Sequence, residues 1–366
     1  MPDKTLAAVA TDVMATELRE FDIPEIGADD GLLELEAAGI CGSDWRNYQH
    51  NSTPRIMGHE NVGRVAKIGG IAAKRWKLKE GDRIALEEYV PCGQCNLCRS
   101  GDFRLCRETE VFGVEKKGLR YGSSPLTEPP MLWGGYSRFM YLHPNSVIHK
   151  VAEDVPAHHL SMCIPMSNGV QWTQYEAGLS MDQAVLIQGP GQQGLAAVLA
   201  AKRLGARKVI VSGLARDAKR LEIARTFGAD AVVDVEKEDL IETVYDLTDG
   251  EGTDAVLDLA GGPNTLVDGI GCVKKGGTVV FASGGTLNNF PANQMTAKRV
   301  TLKAVRGHSY RAVEAAIELI SSGEYPVELM ATHRFGLDEV DLGVRSIGGE
   351  GVADAIHVSI IPSRDV

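Results

Sequence analysis

Cys92, Cys95, Cys98 and Cys106 fall within fifteen residues, in the run PCGQCNLCRSGDFRLC. Thiolates at that density either pair as disulfides or grip a soft metal. Steps of three, three and eight let one loop wrap four sulfurs around one tetrahedral ion, the pattern of structural zinc. A zinc closed by four thiolates has no position left for a substrate, so this site holds a lobe, residues 91–107, in shape. Catalytic zinc instead takes three protein ligands and keeps one position open. Cys41 in GICGSD (39–44) and His59 in GHE (58–60) are candidates for two of them, and Cys163 in LSMCIPMSNG (160–169) for the third. On residue types alone a second reading stands beside this one. Cys is often a small buried hydrophobe, and a single His is commonly a satisfied polar residue.

A second constellation is glycine-based. The apolar run 184–188 leads into Gly189-Pro190-Gly191-Gln192-Gln193-Gly194 and then LAAVLAAKRLGA, which has the composition of a helix. GxGxxG between a strand and a helix is the dinucleotide fingerprint. The first glycine makes the tight turn, the second lets backbone approach the pyrophosphate, and the third lets helix pack on strand. N–H groups at the helix start then face the phosphates. The end of the next strand should carry an acid for the ribose 2′-hydroxyl of NAD, yet it reads VIVSGLAR, 209–216. Gly213 with Arg216 favours a 2′-phosphate and hence NADP. The alternative leaves Arg216 solvated and lets Asp217 serve NAD.

These residues need elements to place them. Up to about residue 155 the chain reads as β-rich. Short apolar runs at 32–35, 61–68, 83–86 and 139–142 are separated by turn formers, with GDR at 81–83 turning into a strand. Residues 107–135 are Gly- and Pro-rich and read as a long loop. From residue 156 the pattern changes. Apolar runs at 184–187, 208–211, 231–233, 254–257 and 278–281 alternate with helical segments at 194–204 and 217–227, the signature of a parallel sheet with helices on both faces. A helix is expected over 312–322 and a last strand over 352–361. Cys272 reads as core, His158-His159 as an exposed helix start, and 234–239 as a solvated acidic face.

Taken in order, GICGSD, GHE, the four-cysteine loop and GxGxxG resemble the zinc-dependent alcohol dehydrogenases of the medium-chain dehydrogenase/reductase family, over nearly the whole chain. That resemblance implies an α/β protein of two domains: a GroES-like, β-rich catalytic domain over 1–155 and 301–366, and a Rossmann domain over 156–300. It implies two zinc ions per chain, a catalytic one at Cys41, His59 and Cys163 and a structural one at the four clustered cysteines, together with NAD(P). Glu60 matches the acid that sits behind or transiently on the metal, Asp44 the residue that orients the metal-bound His, and Ser43 the hydroxyl that bonds the substrate alcohol. Relatives are dimers or tetramers, and their substrates are small alcohols and carbonyls. There is one departure at the site. Some relatives carry a His five residues after the first ligand Cys, where this chain has Arg46, which has no basic lone pair. Proton release is therefore expected through Ser43, the cofactor ribose and water, or through His50. Trp45, Tyr48 and Trp133 either shape the pocket or pack.

The composition agrees. The chain has 366 residues, 44% hydrophobic and 24% charged, enough for two domains. A net charge of −11 argues against nucleic acid and anionic membranes as partners. No run of eighteen apolar residues and no basic-then-apolar leader is found, and seven cysteines are too few for a disulfide scaffold, so a reduced, cytoplasmic setting is expected. Two rivals remain: a zinc-free reductase of C=C bonds from the same superfamily, for which three candidate zinc ligands would be superfluous, and a nucleotide-sensing binding module built on the cysteine lobe.

Overall fold

The alternation of apolar runs and turn formers in the first part of the chain becomes antiparallel strands. The structure is a computed structural model, and it describes residues 2–110, 118–282 and 290–363. Two units can be separated. The first comprises Met1–Ile164, Ile317–Ser322 and Val327–Val366, and the second Pro165–Ala316 and Gly323–Pro326.

The first unit holds a seven-stranded sheet. Its order is Ala331–Phe335, His357–Ile360, Gly31–Ile40, Glu60–Ile68, Arg83–Leu86 and Ile148–Lys150, with Phe139–Leu142 also paired to Gly31–Ile40. A three-stranded sheet of Ala15–Asp22, Lys4–Asp12 and Arg55–Ile56 lies in the same unit. Leu33, Leu35, Ile84, Leu86, Met140 and Leu142 from neighbouring strands share one core cluster, as period-two alternation requires. Glu87, just past the strand Arg83–Leu86, and His149, within the adjacent strand Ile148–Lys150, are both fully buried and meet at 2.7 Å. Tyr48 and Trp133 are core residues: the Tyr48 hydroxyl donates to Asp341 at 2.6 Å, and the Trp133 ring packs on Tyr121 and Tyr141. Trp45 is half-buried against that core.

The second unit is a six-stranded parallel sheet. Its order is Ala231–Asp234, Lys208–Gly213, Ala184–Gln188, Thr253–Asp258, Val273–Phe281 and Thr301–Ala304, that is 3-2-1-4-5-6, the doubly wound dinucleotide-binding order. The strand Ala184–Gln188 is buried at every residue because it has a neighbour on each side and helices on each face, hence its unbroken apolar sequence. The edge strand Thr301–Ala304 belongs to this sheet, so residues 301–316 lie in the second unit rather than in the returning segment expected from 301.

The helices run Gln192–Arg203, Ala218–Thr226 and Tyr310–Ser321, each within a few residues of expectation, whereas the last strand is shorter, His357–Ile360. His158 and His159 do open a short helix, Ala157–Leu160, but are half-buried rather than exposed. Cys272 is fully buried, and the acidic face of 234–239 supplies Asp239 as the N-cap of Leu240–Leu247. Of the 107–135 segment, 111–117 lie outside the described residues; the rest carries a short 3-10 turn at Arg107–Thr109 and no longer helix or strand. Among the described residues no helix is long and apolar enough to cross a membrane.

Candidate functional site

Strand register builds the first site. Gly31–Ile40 and Glu60–Ile68 pair antiparallel with Gly39 opposite Glu60, so Cys41, just past one strand, comes beside His59, just before the other. A Cβ on Gly39 would lie 2.5 Å from Glu60 Oε2, so only glycine leaves room for that carboxylate. Gly58 turns the chain into His59 with φ +91, a conformation open to glycine. Ligand atoms of Cys41, His59 and Glu60 all lie within 4.8 Å of one another. His59 and Glu60 are buried, and Glu60 Oε2 has no hydrogen-bond partner. A thiol, an imidazole and a carboxylate with an unsatisfied buried oxygen fit a divalent metal of zinc's ligand preference.

Asp44 orders this group. Cys41 is the N-cap of the helix Gly42–Gln49, and Asp44 at its third position accepts from the Cys41 N–H at 3.0 Å. The other Asp44 oxygen lies 3.3 Å from His59 Nδ1, which leaves Nε2 for a metal, and Ser43 Oγ is 3.4 Å from that nitrogen. The Tyr136 hydroxyl reaches Asp44 Oδ2 at 3.0 Å. Burial opposes ionisation of Cys41, but its hydrogen bond to His59 and the charge of that imidazole prevail and lower it. Burial likewise opposes protonation of His59, and the Asp44 and Glu88 carboxylates outweigh it, holding His59 well above its ordinary value. Burial and the Cys41 charge raise Glu60. Among these three groups, then, the field favours a thiolate at Cys41.

Cys163 stands at the start of the helix Cys163–Val170, outside the 4.8 Å group that Glu60 joins. Its fully buried thiol is pushed up by burial, then by the charges of Glu60 and Glu87. The family resemblance implies that Glu60 sits behind the metal or transiently on it; the fold brings its carboxylate into the tight group with Cys41 and His59. Arg46 and His50 are both exposed.

Cys92, Cys95, Cys98 and Cys106 form the second compact set, with all sulfurs within 4.8 Å. Sγ of Cys98 is 3.9 Å from that of Cys92 and 3.5 Å from that of Cys95. Those separations bracket the ~3.8 Å edge of a tetrahedron with Zn–S bonds of ~2.3 Å. The backbone N–H groups of Gln94 and Cys95 donate to Cys92 Sγ at 3.4 and 3.3 Å and hold its pKa down, to about 6. All seven cysteines are free.

In the second unit each glycine of the turn has its own reason. Gly189 has φ +94, and a Cβ there would meet Ala260 backbone at 2.9 Å. A Cβ on Gly194 would lie 1.9 Å from the Gly189 carbonyl oxygen, so helix and strand touch there. Around Gly191, by contrast, nothing lies within 4 Å, which is open space suited to a pyrophosphate. Gln192 and Gln193 are the first two residues of the helix, so their N–H groups stand at its N-terminal end, the end that faces a phosphate. At the end of the next strand, Asp217 Oδ2 accepts from Leu214 N–H at 3.1 Å and Glu236 accepts from Ala215 N–H at 2.7 Å. Both carboxylates are thus engaged by the loop itself, while Arg216 is exposed.

Comparison with known proteins agrees with both halves. The family model described as alcohol dehydrogenase GroES-like domain matches residues 27–153, and that described as zinc-binding dehydrogenase matches 194–322. A protein of Mycobacterium tuberculosis named as a probable alcohol dehydrogenase is 34% identical over 342 residues, covering 91% of each chain. Among solved structures, an alcohol dehydrogenase from Thermotoga maritima has a TM-score of 0.86 at 25% identity, covering 98% of this chain and 100% of its own. A zinc-binding dehydrogenase from Sinorhizobium meliloti, described as bound to NADP, has a TM-score of 0.84 at 25% identity, covering 99% and 100%. The chain belongs to the zinc-binding alcohol dehydrogenases of the medium-chain dehydrogenase/reductase superfamily, oxidoreductases that act on CH–OH donors.

Proposed function

We propose that the chain interconverts an alcohol and an aldehyde or ketone with NAD(P), using zinc at the Cys41–His59 site and a second, structural zinc in the cysteine lobe. The observation that carries this reading is the buried Cys41, His59 and Glu60 group, whose ligand atoms lie within 4.8 Å and which keeps one carboxylate oxygen unsatisfied. Cys163 is proposed as the remaining ligand. Zinc bound there supplies Lewis acidity toward the substrate oxygen. The chain's own groups do the rest. Ser43, adjacent to His59 Nε2, accepts the hydroxyl proton of the substrate and passes it outward. Asp44 holds the imidazole, and the turn at 189–194 with the first N–H groups of its helix seats the pyrophosphate. Glu60, whose Oε2 accepts no hydrogen bond and lies 3.8 Å from His357 Nδ1, is suited to replace a departing ligand. Hydride passes from the substrate carbon to the nicotinamide.

For the cofactor we favour NADP. Asp217 and Glu236, beside the end of Lys208–Gly213, are bound to backbone N–H groups, and Gly213 leaves the exposed Arg216 as the charged group for a 2′-phosphate. A panel of alcohols and aldehydes read by cofactor absorbance, run with NAD and with NADP, tests both points. Cys41→Ser and His59→Ala should collapse turnover while nucleotide binding stays nearly intact, and metal analysis should give two zinc per chain. Near-wild-type turnover in either variant overturns the zinc role. Reduction of activated C=C bonds with one metal or none would assign the rival chemistry. A large preference for NAD, or an Arg216→Ala protein with an unchanged KM for NADP, overturns the cofactor assignment.

A further inference from the structure

We infer that Tyr136 is a positioning residue for the metal-binding edge of His59, acting through Asp44; the inference rests on the zinc reading of that site. Asp44 is 1% exposed, and its two oxygens have different tasks. Oδ2 takes two donors, the Cys41 N–H and the Tyr136 hydroxyl, each at 3.0 Å. Oδ1 has no hydrogen bond of ordinary geometry and lies 3.3 Å from His59 Nδ1. With a single donor on Oδ2 the carboxylate could pivot about that bond. With two it is fixed, and Oδ1 is aimed at the imidazole. The ring angle of His59, and so the direction of Nε2, follows.

Tyr136 is itself tied to the turn it serves. Its N–H donates to Met57 O at 3.0 Å, its carbonyl accepts from Ala8 N–H at 2.8 Å, and Gly135 N–H donates to Gly58 O at 2.9 Å. One edge of the ring lies against Gly58, where a Cβ would be 2.6 Å from Cδ1 and 2.7 Å from Cε1. It is fully buried and cannot swing. Burial, then the Asp44 charge, holds the phenol well above its ordinary pKa, so it remains a donor throughout the working range. Tyr136 therefore links the chain segment before His59 to the carboxylate behind it, and a phenylalanine would keep the packing but lose that link.

The test is Tyr136→Phe in the zinc-loaded protein, read by zinc release to a chromophoric chelator. Two phases are expected, one for each zinc. In Tyr136→Phe the phase belonging to the Cys41 site should be faster by up to about tenfold, the lower end of what losing a direct partner of a metal-bound histidine costs, because Tyr136 acts one bond further out, and the cysteine-lobe phase should be unchanged. The cobalt-substituted protein should show a shifted visible absorption. In an Asp44→Asn background the Tyr136→Phe effect should vanish, because it acts through Asp44. Fluorotyrosine at 136 keeps the shape and strengthens the donor, so it should slow release; this arm stands even if Tyr136→Phe folds poorly. Wild-type release and an unchanged cobalt spectrum in Tyr136→Phe, or an undiminished effect beside Asp44→Asn, overturns the inference. Cys41→Ser separates it from the reading beneath: a Cys41→Ser protein that retains two zinc ions overturns the site itself.

Discussion

Substituting Gly191 and Gly194 one at a time should separate nucleotide binding from folding. In Gly194→Ala the new Cβ would start 1.9 Å from the Gly189 carbonyl oxygen. Ordinary contact is ~3.5 Å, so two backbone segments must part by roughly 1.5 Å. Overpacking of this kind costs ~1–3 kcal/mol, and the better helix propensity of Ala returns up to ~1. With the full ~1 kcal/mol returned the net loss is up to ~2 kcal/mol, which corresponds to a melting point lower by up to about 8 °C for a unit of this size. Gly191 behaves differently. Its backbone, φ −70 and ψ −179, is extended and open to any residue, and nothing lies within 4 Å of its Cβ position. Gly191→Ala should therefore cost no more than the N-cap preference, ~0.5–1 kcal/mol. The added methyl stands where the pyrophosphate must approach, so nucleotide affinity should fall at least tenfold, ~1.4 kcal/mol. Calorimetric melting paired with titration of NADP and NAD against each variant gives both numbers. A folded Gly191→Ala protein that binds both nucleotides as tightly as wild type would refute the assignment of this turn to the pyrophosphate.

Other perturbations have equally definite outcomes. Cys98→Ser should remove one zinc and lower stability or assembly before the chemical step changes; a Cys98→Ser protein that is fully stable yet inactive contradicts the division between the two sites. Truncating His149 breaks its fully buried 2.7 Å pair with Glu87 and should cost ~3–5 kcal/mol in denaturant titrations, part of which the double variant Glu87→Leu, His149→Leu recovers. His158 is held at about 4 by burial and by the charges of His159 and Arg334. Because the unfolded chain protonates it near ~6.5, its contribution is fully present above that pH and lost as pH falls toward 4. His158→Gln should therefore lose less melting temperature than wild type between pH 7 and pH 5, and equal losses would show that this histidine is not the cause.

What the sequence revealed, and what it hid, follows the range of each interaction. The cysteine lobe and the glycine turn are local: ligand spacing and the strand–turn–helix pattern lie within fifteen or twenty residues, and both were legible. The doubly wound sheet was legible because its central strands are buried on both faces and read as unbroken apolar runs. Its edge strand TLKA, 301–304, has a lysine and partial exposure, and nothing in its composition says which sheet it joins. The polar strand ATELREFD, 15–22, escaped for a similar reason. At the candidate metal site, residue types named Cys41 and His59, but the entry of Glu60 into the tight group depends on the register that sets Gly39 opposite it. Tyr136 lies 92 residues from Asp44 in sequence, and no spacing rule connects a tyrosine to a carboxylate over such a distance.

The order of strands in the first unit has a bearing on biosynthesis. His357–Ile360 pairs with residues 38–40, immediately before Cys41, although more than 300 residues separate the two along the chain. At roughly 5–20 residues per second, the ribosome delivers that partner on the order of tens of seconds after the strand bearing Gly39 emerges. For that interval the N–H and C=O groups of residues 38–40, beside Cys41, have no ladder partner on one side, and an open edge of this kind is a template for unwanted pairing. The second unit, whose strands all come from 184–304, has its full sheet available while the first is still waiting. The nascent chain thus passes through a stage in which its six-stranded parallel sheet can be complete and its seven-stranded sheet cannot.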